Sequence, residues 1–220
     1  MSDQPLSLDR PELTIRPMAH PDLAVVRRMV ATAFAGEPFA VGMFGTSPVD
    51  RLVGMVDEYE HWPESPDALV LVGSAGPSLV AVILATLPGK CRLCDEWQPA
   101  HEVVSYTQPK ADAVENAFQA RCRLAHLSSS LPTHAHIQTV VTEPFLAGAG
   151  IGHRMVVELL ERLYSEGARS VVLECLTTRQ AFYERCGFRA TAEFMDPGGD
   201  DLPAVMMQID ALEAGFERPG

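Results

Sequence analysis

The sequence predicts an α/β protein built as one mixed sheet covered by helices. The chain has 220 residues, a length at which single domains are usual, and 47% of them are hydrophobic, which is enough for an ordinary core. Short apolar runs typical of strands alternate with segments whose apolar residues recur at the helical period. Their order is β-α-α-β-β-insert-β-α-β-α-β-β, which indicates helices packed on a sheet.

The first half of the chain contains three predicted strands and two predicted helices. The first helix has apolar residues at helical spacing and stops before Gly36 and Pro38, and the second begins with a Ser-Pro cap. Two apolar runs joined by a Gly-Pro turn are typical of an antiparallel hairpin. We expect strands over residues 12–18, 68–74 and 79–87, and helices over 21–34 and 48–61.

The second half repeats the alternation after an insert at residues 89–134, which exceeds a minimal connection. The longest predicted helix has one apolar face and ends at Gly167, a favourable stop for a helix. We expect strands over residues 135–142, 170–175, 188–195 and 204–209, and helices over 111–127, 150–166 and 178–186. The predicted organisation is a tail (1–11), one domain (12–211) and a second tail (212–220).

Charge and cysteine content exclude several classes of function. The chain has 17 Lys and Arg against 29 Asp and Glu, a net charge of −12, which argues against a protein that binds nucleic-acid phosphates. We expect no signal peptide, because residues 1–10 are polar, and no apolar run is long enough to cross a membrane. The five cysteines do not form a disulfide framework, and Cys91-x-x-Cys94 lacks a matching second pair, so we expect no metal and a cytoplasmic location.

The most informative stretch is a strand that runs into a glycine-rich turn and then into a long helix. It extends from Val140 to His153, with Gly148, Gly150 and Gly152 in the turn. The first turn of a helix has unpaired N–H groups and the positive end of the helix dipole, and glycine lets a pyrophosphate approach the backbone closely. The glycine spacing fits neither a P-loop nor a dinucleotide-binding fingerprint. By itself the turn is either an anion site of another kind or a plain helix cap.

A second motif follows at Phe182-Tyr183-Glu184-Arg185-Cys186-Gly187-Phe188. Together the two stretches resemble the GCN5-related N-acetyltransferase (GNAT) superfamily, whose acetyl-CoA motif contains P-x-x-[QR]-G-x-G-[IL]-G and whose later motif has the form F-Y-E-[KR]-x-G-F. The resemblance implies the GNAT fold, a mixed and mostly antiparallel sheet of about seven strands flanked by helices. Thr139–Gly152 and Leu173-Glu174 further resemble the puromycin N-acetyltransferase branch.

The resemblance also implies an activity, the direct transfer of acetyl from acetyl-CoA to the amine of a small molecule. It implies no nucleic-acid or membrane partner, and a monomer or homodimer. Tyr183 matches the tyrosine that protonates the departing thiolate, and Glu174 matches a glutamate that serves as base in some members; His136 and Glu143 are alternatives. The residues implied to bind acetyl-CoA are Val140, Val141, Thr142, Gly148, Ala149, Gly150, Ile151, Gly152 and His153.

The sequence also departs from the family pattern. Ala147 replaces a Gln or Arg, Ala149 replaces a residue that is commonly basic, and no Asn follows Cys175. Tyr183 could be a core aromatic residue, and Glu174 a solvent-facing strand residue. Two other functions therefore stay open: a CoA-binding or partner-binding protein without activity, and a GNAT-fold enzyme with different chemistry.

Overall fold

The computed structural model describes residues 12–35, 37, 53, 65–90, 134–196 and 202–211. Seven strands form one sheet in the order β1-β2-β3-β4-β5-β7-β6. Every neighbouring pair is antiparallel except β4 and β5, which are parallel, so the predicted mixed and mostly antiparallel sheet is confirmed. The strands are β1 (Leu13–Pro17), β2 (Ala68–Ala75), β3 (Ser78–Thr86), β4 (Ala135–Thr142), β5 (Ser170–Leu176), β6 (Arg189–Asp196) and β7 (Leu202–Asp210).

Three α-helices lie among the described residues: α1 (Leu23–Phe34), α2 (Ile151–Ser165) and α3 (Thr177–Arg185). Short 3-10 turns precede the first two, at His20–Asp22 and Pro144–Leu146. The predicted helix over 111–127, the two tails and Cys91-x-x-Cys94 lie outside the described residues. Of the predicted helix over 48–61, the structure describes Val53, which is helical and packs against the α1 core.

The two longer helices cover opposite faces of the sheet. One face of α2 is apolar and fully buried on the sheet, as its sequence periodicity predicts. On the other side, α1 buries its apolar stripe against β2, β3 and the end of β4. The buried residues of α2 are Ile151, Met155, Val156, Leu159, Leu160 and Leu163.

Strand β4 contains a bulge that changes which face its side chains occupy. Leu84 of β3 is opposite Thr139 whereas Ala85 is opposite Ile137, so Gln138 is the extra residue. Ile137 packs in the α2 core, and Val141 packs in the α1 core. Strict alternation would have placed these two on the same face. The bulge therefore reorients the half of β4 that leads to the glycine-rich turn.

An ion pair joins β1 to the turn that begins α1. Arg16 donates two hydrogen bonds to the Asp22 carboxylate, at 2.6 Å and 2.9 Å, and the Ala19 N–H donates another at 2.8 Å. These donors stabilise the ionised carboxylate and lower the pKa of Asp22 to about 2, although partial burial opposes the change. The first strand and the first helix are thus held together by one carboxylate.

Replacing that carboxylate should make stability depend on pH in a defined way. The pKa of Asp22 falls from an ordinary value of 3.8 to about 2 on folding, so its contribution is complete above about pH 4 and is lost as the pH falls towards 2. We expect Asp22→Asn to lower the free energy of unfolding at pH 7, with the difference from wild type shrinking towards pH 2. Urea unfolding across this range measures the effect.

Asp67→Asn is the matched control, because Asp67 pairs with Lys90 at 3.3 Å while both side chains are about half exposed. We expect it to change stability little at either pH. An Asp22→Asn deficit that is as large at pH 2 as at pH 7 would contradict the assignment.

Candidate active site between strands β4 and β5

A cleft opens where the two parallel strands separate. Strands β4 and β5 pair at only two positions, Ala135 with Val171 and His136 with Val172. Beyond them β4 stays paired with β3 as far as Thr142, and β5 stays paired with β7 as far as Leu176. The carboxyl ends of the two strands therefore diverge, and one leads to the glycine-rich turn while the other leads to α3. Ligands of open α/β sheets bind at such carboxyl ends.

The glycine-rich turn lies at one side of this cleft and can accept an anion. Gly148 and Gly150 have positive φ angles of 81° and 79°, which glycine adopts without strain, and nothing lies within 4 Å of where a Cβ would stand at either. No side chain caps α2, whose backbone ladder begins with the bond from Arg154 N–H to the Gly150 carbonyl. The N–H groups of Ile151, Gly152 and His153 thus have no acceptor within the helix, as a pyrophosphate site needs.

The exposed edge of β4 forms the wall of the cleft next to this turn. From Ile137 to Thr142 this edge has no pairing with the described part of β5, so backbone groups on that side can bond to an extended ligand. The predicted CoA-contacting residues Val140, Val141 and Thr142 lie on this stretch. The structure brings them together with the glycine-rich turn, because β4 leads directly into it.

Gly152 has a different role from the one predicted for the turn glycines. A Cβ at this position would lie 3.2 Å from the Phe182 ring and 3.7 Å from the Thr142 methyl group. Its missing side chain therefore makes room for α3 against the first turn of α2, whereas Gly148 and Gly150 face open space. The two sequence motifs meet at this contact, which couples the position of Tyr183 to the glycine-rich turn.

Tyr183 is partly buried on the same helix, next to two aromatic rings. Its ring packs edge-on against Phe182 and Phe188, with centroid distances of 4.9 Å and 6.0 Å. Burial raises the pKa of Tyr183 above its ordinary value of 10, and the nearby Cys175 and Cys186 add to the effect. The phenol therefore keeps its proton at neutral pH. Packing against the core and service as a proton donor are compatible in this arrangement.

Glu174 lies inside the protein, which excludes the solvent-facing alternative. Its Oε2 atom is 2.6 Å from Nε2 of His136, and the side chains are only 11% and 7% exposed. Leu173 on the opposite face of β5 packs in the α2 core. The pair spans β4 and β5 next to their last paired position, so Glu174 and His136, which the sequence offered as alternative bases, form one unit.

The thiol of Cys175 follows Glu174 in β5 and packs against the α2 core. Burial raises its pKa to about 12, with help from the Glu174 charge and some opposition from Arg179. Arg179 lies in the first turn of α3 and forms an ion pair with Glu37 at 3.4 Å. Thr177, Thr178 and Gln180 lie in the same turn, after the position at which the sequence lacks the family's Asn.

Among the described residues, no group of three or more His, Cys, Asp or Glu side chains is arranged to hold a metal ion. Glu143 follows β4 directly, and its backbone N–H donates to the Val80 carbonyl. Sequence analysis missed the contact between His136 and Glu174. Strand spacing could have indicated only that Glu174 faces away from Leu173.

Comparison with known proteins identifies the fold and the family. Residues 43–188 match the sequence profile of the Acetyltransferase (GNAT) family. The chain belongs to this family. A GNAT structure, the mosquito arylalkylamine N-acetyltransferase like 5b, superposes with a TM-score of 0.63 at 14% identity, covering 90% of this chain and 100% of that one. An aminoglycoside acetyltransferase in complex with coenzyme A and kanamycin gives a TM-score of 0.55 at 14% identity, covering 93% and 98%.

Curated relatives of this GNAT chain match a shorter stretch. The glucosamine 6-phosphate N-acetyltransferase of Trypanosoma brucei brucei is 40% identical over 55 residues, which are 25% of this chain and 37% of that protein. The chain thus aligns with little more than a third of that relative's length. The puromycin N-acetyltransferase branch stays a prediction. No helix among the described residues is long and apolar enough to cross a membrane.

Filling the space at Gly152 tests the contact between the two motifs. We expect Gly152→Val to lower the free energy of unfolding by roughly 1–3 kcal/mol, because the new side chain would overlap the Phe182 ring. In a Phe182→Leu background, Gly152→Val should lower the free energy of unfolding by clearly less, since the overlapping ring is gone. Urea unfolding of the four proteins measures the coupling.

His153→Val is the matched control, because it places the same β-branched residue at the next, exposed position of α2. His153→Val should lower the free energy of unfolding only slightly, and by the same amount with Phe182 and with Leu at position 182. Equal costs of Gly152→Val with and without Phe182 would contradict the contact.

Proposed function

We propose that the protein is an acetyl-CoA-dependent N-acetyltransferase that acts on the amine of a small molecule by direct transfer. The observation that supports this most is the cleft between β4 and β5, with an uncapped glycine-rich helix N-terminus at one side and Tyr183 and Glu174 at the other. Membership in the GNAT family supports the same proposal. Acetyl-CoA would supply a thioester, whose acyl carbon gains a C–N bond as its C–S bond breaks.

The chain's own residues would bind the donor through backbone groups. Ile151, Gly152 and His153 would donate N–H bonds to the pyrophosphate at the start of α2, with Gly148, Ala149 and Gly150 shaping the turn. Val140, Val141 and Thr142 would bond to the extended arm along the edge of β4. This arrangement excludes water from one side of the donor and directs its thioester towards the inner end of the cleft.

Two side chains would move the protons. Glu174 would take a proton from the attacking amine, which must be neutral when it forms the new bond. Tyr183 would donate its phenolic proton to the departing sulfur, a role suited to a phenol that burial keeps protonated. The amine thus loses one proton to Glu174 and the departing sulfur gains one from Tyr183, so no net proton is consumed. Tyr183 then regains a proton from solvent, and Glu174 releases its proton.

The class of amine acceptor is part of the proposal, and the relatives suggest which amines to test. The curated relatives act on glucosamine 6-phosphate, and the structural neighbours are named for arylalkylamines and bound to kanamycin. All three are small amines. We propose this class, with glucosamine 6-phosphate as the first compound to test. The free thiols of Cys175 and Cys186 support the reducing, cytoplasmic location that we propose with it.

Loss of polar contacts at the turn supports a second candidate, a CoA-binding protein without activity. Ala147 is exposed at the turn, where family members have Gln or Arg, so the backbone must bind the anion without that side chain. Thermal stabilisation by CoA with no thioester loss in the presence of any amine would favour this candidate. Mass spectrometry of co-purifying ligands would reveal a different acyl group or a different chemistry.

Restoring a charge at the turn should tighten donor binding. We expect Ala147→Arg to lower the Kd for CoA by about tenfold or more at low salt, because a charged hydrogen bond to phosphate is gained. The gain should shrink as the salt concentration rises. Titration calorimetry measures it, with Ala24→Arg on an exposed position of α1 as the control for added charge. A gain as large in Ala24→Arg would contradict a phosphate site at the turn.

Removing the phenolic hydroxyl tests the proton donor. We expect Tyr183→Phe to lower kcat by about 100-fold or more, because the sulfur leaves without a proton, while the KM for acetyl-CoA changes little. Assays of thiol release with acetyl-CoA and glucosamine 6-phosphate, 2-phenylethylamine or kanamycin measure the effect. Tyr164→Phe, on the far end of α2, is the control and should leave kcat unchanged. If the wild-type protein does not bind CoA at millimolar concentration, the proposed acetyltransferase function is contradicted.

A further inference from the structure

We propose that His136 is the positioning residue of the proton acceptor: its imidazole donates a hydrogen bond to Glu174 and holds the carboxylate ionised where the cleft begins. This inference rests on the proposed function, to which it adds a residue outside the implied acid and base. The observation that carries it is the 2.6 Å contact between His136 Nε2 and Glu174 Oε2 across the point where β4 and β5 separate.

The place of the contact matters as much as its length. His136 belongs to the last paired position of the two strands, and Glu174 lies two residues further along β5 on the same face. Glu174 is therefore the first residue of that face beyond the pairing, where the cleft begins. A proton acceptor must stand where the amine meets the thioester, and this position lies at the inner end of the cleft.

The backbone of His136 is held in place by the strand on its other side. The backbone N–H of His136 donates to the Thr86 hydroxyl at 3.3 Å, and the residue is 5% exposed. A carboxylate alone on a diverging strand could rotate among several orientations, whereas a carboxylate bonded to a buried ring loses that freedom. Glu174 is thus oriented by a buried residue of the neighbouring strand.

Stability gives no sufficient reason for placing this pair in the interior. Removing two ionisable groups from water costs free energy that their attraction only partly offsets, and apolar replacements of such pairs are often neutral or stabilising. The opposite face of β5 is occupied by Val171 and Leu173, which pack in the α2 core. An apolar pair would serve equally to join the two strands, so the retained charge points to chemistry.

The step assigned to the pair is a single proton transfer. Glu174 accepts the proton of the attacking nitrogen on a carboxylate oxygen, and the bond from His136 Nε2–H keeps that carboxylate in its basic form until the transfer occurs. The hydrogen bond to the ionised form favours ionisation, so its loss should favour the protonated carboxylate. Among the described groups, the Cys175 thiol is close enough for the Glu174 charge to raise its pKa.

The pH dependence of the rate separates positioning from mere structure. We expect His136→Leu to lower kcat roughly tenfold to 100-fold with little change in the KM for acetyl-CoA, and to move the acid limb of the kcat profile up by about one pH unit. His136→Gln, which keeps an N–H donor, should recover part of the rate and return the limb towards wild type. In a Glu174→Gln background, His136→Leu should cause no further loss.

His134→Leu is the matched control, because it removes an equally buried imidazole two residues earlier in the chain. It should leave the acid limb in place. Thermal unfolding shows whether His136→Leu is folded. If it is not, the acid limb of His136→Gln is compared with that of the wild type instead. An active His136→Leu enzyme with an unmoved acid limb would overturn the inference while leaving the proposed function intact.

A measurement without turnover keeps the two proposals distinguishable. Carbon-13 NMR of labelled glutamate follows the Glu174 carboxylate, identified by its loss in Glu174→Gln, in the protein alone. We expect its titration midpoint to rise in His136→Leu and to return in His136→Gln. Inactivity of the wild type towards all three amines, with this shift present, would overturn the proposed function only. An unchanged midpoint in His136→Leu would overturn the inference.

Discussion

The early separation of β4 from β5 is the constraint on which the candidate site depends. Two parallel strands that could pair along seven residues pair at two, because β4 bulges at Gln138 and follows β3 while β5 follows β7. Unpaired backbone groups inside a protein are costly unless something bonds to them. The cleft between β4 and β5 therefore lowers the stability of the sheet, and it also leaves backbone groups to which an extended ligand could bond.

Packing on both sides of the gap fixes the reacting groups relative to one another. Because Gly152 has no side chain, the Phe182 ring packs against it and α3 lies against the start of α2. Tyr183 follows Phe182 in the chain. On the opposite face, His136 reaches Glu174 across the strands. The glycine-rich turn and Tyr183 are thus joined by a steric contact, and Glu174 is joined to β4 by its contact with His136.

Local sequence signals accounted for most of the fold that the structure describes. All seven strands lie within one or two residues of their predicted bounds, since most of them are short apolar runs that end at turn residues. The glycine-rich turn and the helix after it were also predicted, because φ angles near +80° and an apolar stripe depend on nearby residues alone. The domain bounds and the roles of the site residues are not tested by this agreement and stay predictions.

The sequence by itself determined the family, through two motifs that lie 30 residues apart in a fixed order, and it predicted which residues form the glycine-rich turn. Only the tertiary structure decided which face Glu174 occupies, that His136 is its partner 38 residues away, and that Gly152 serves packing while Gly148 and Gly150 face open space. The physical reason is that alternation along β5 fixes only that Glu174 and Leu173 face opposite ways, and not which neighbours each face meets. Contacts across separating strands then depend on where the pairing stops, which no local pattern encodes.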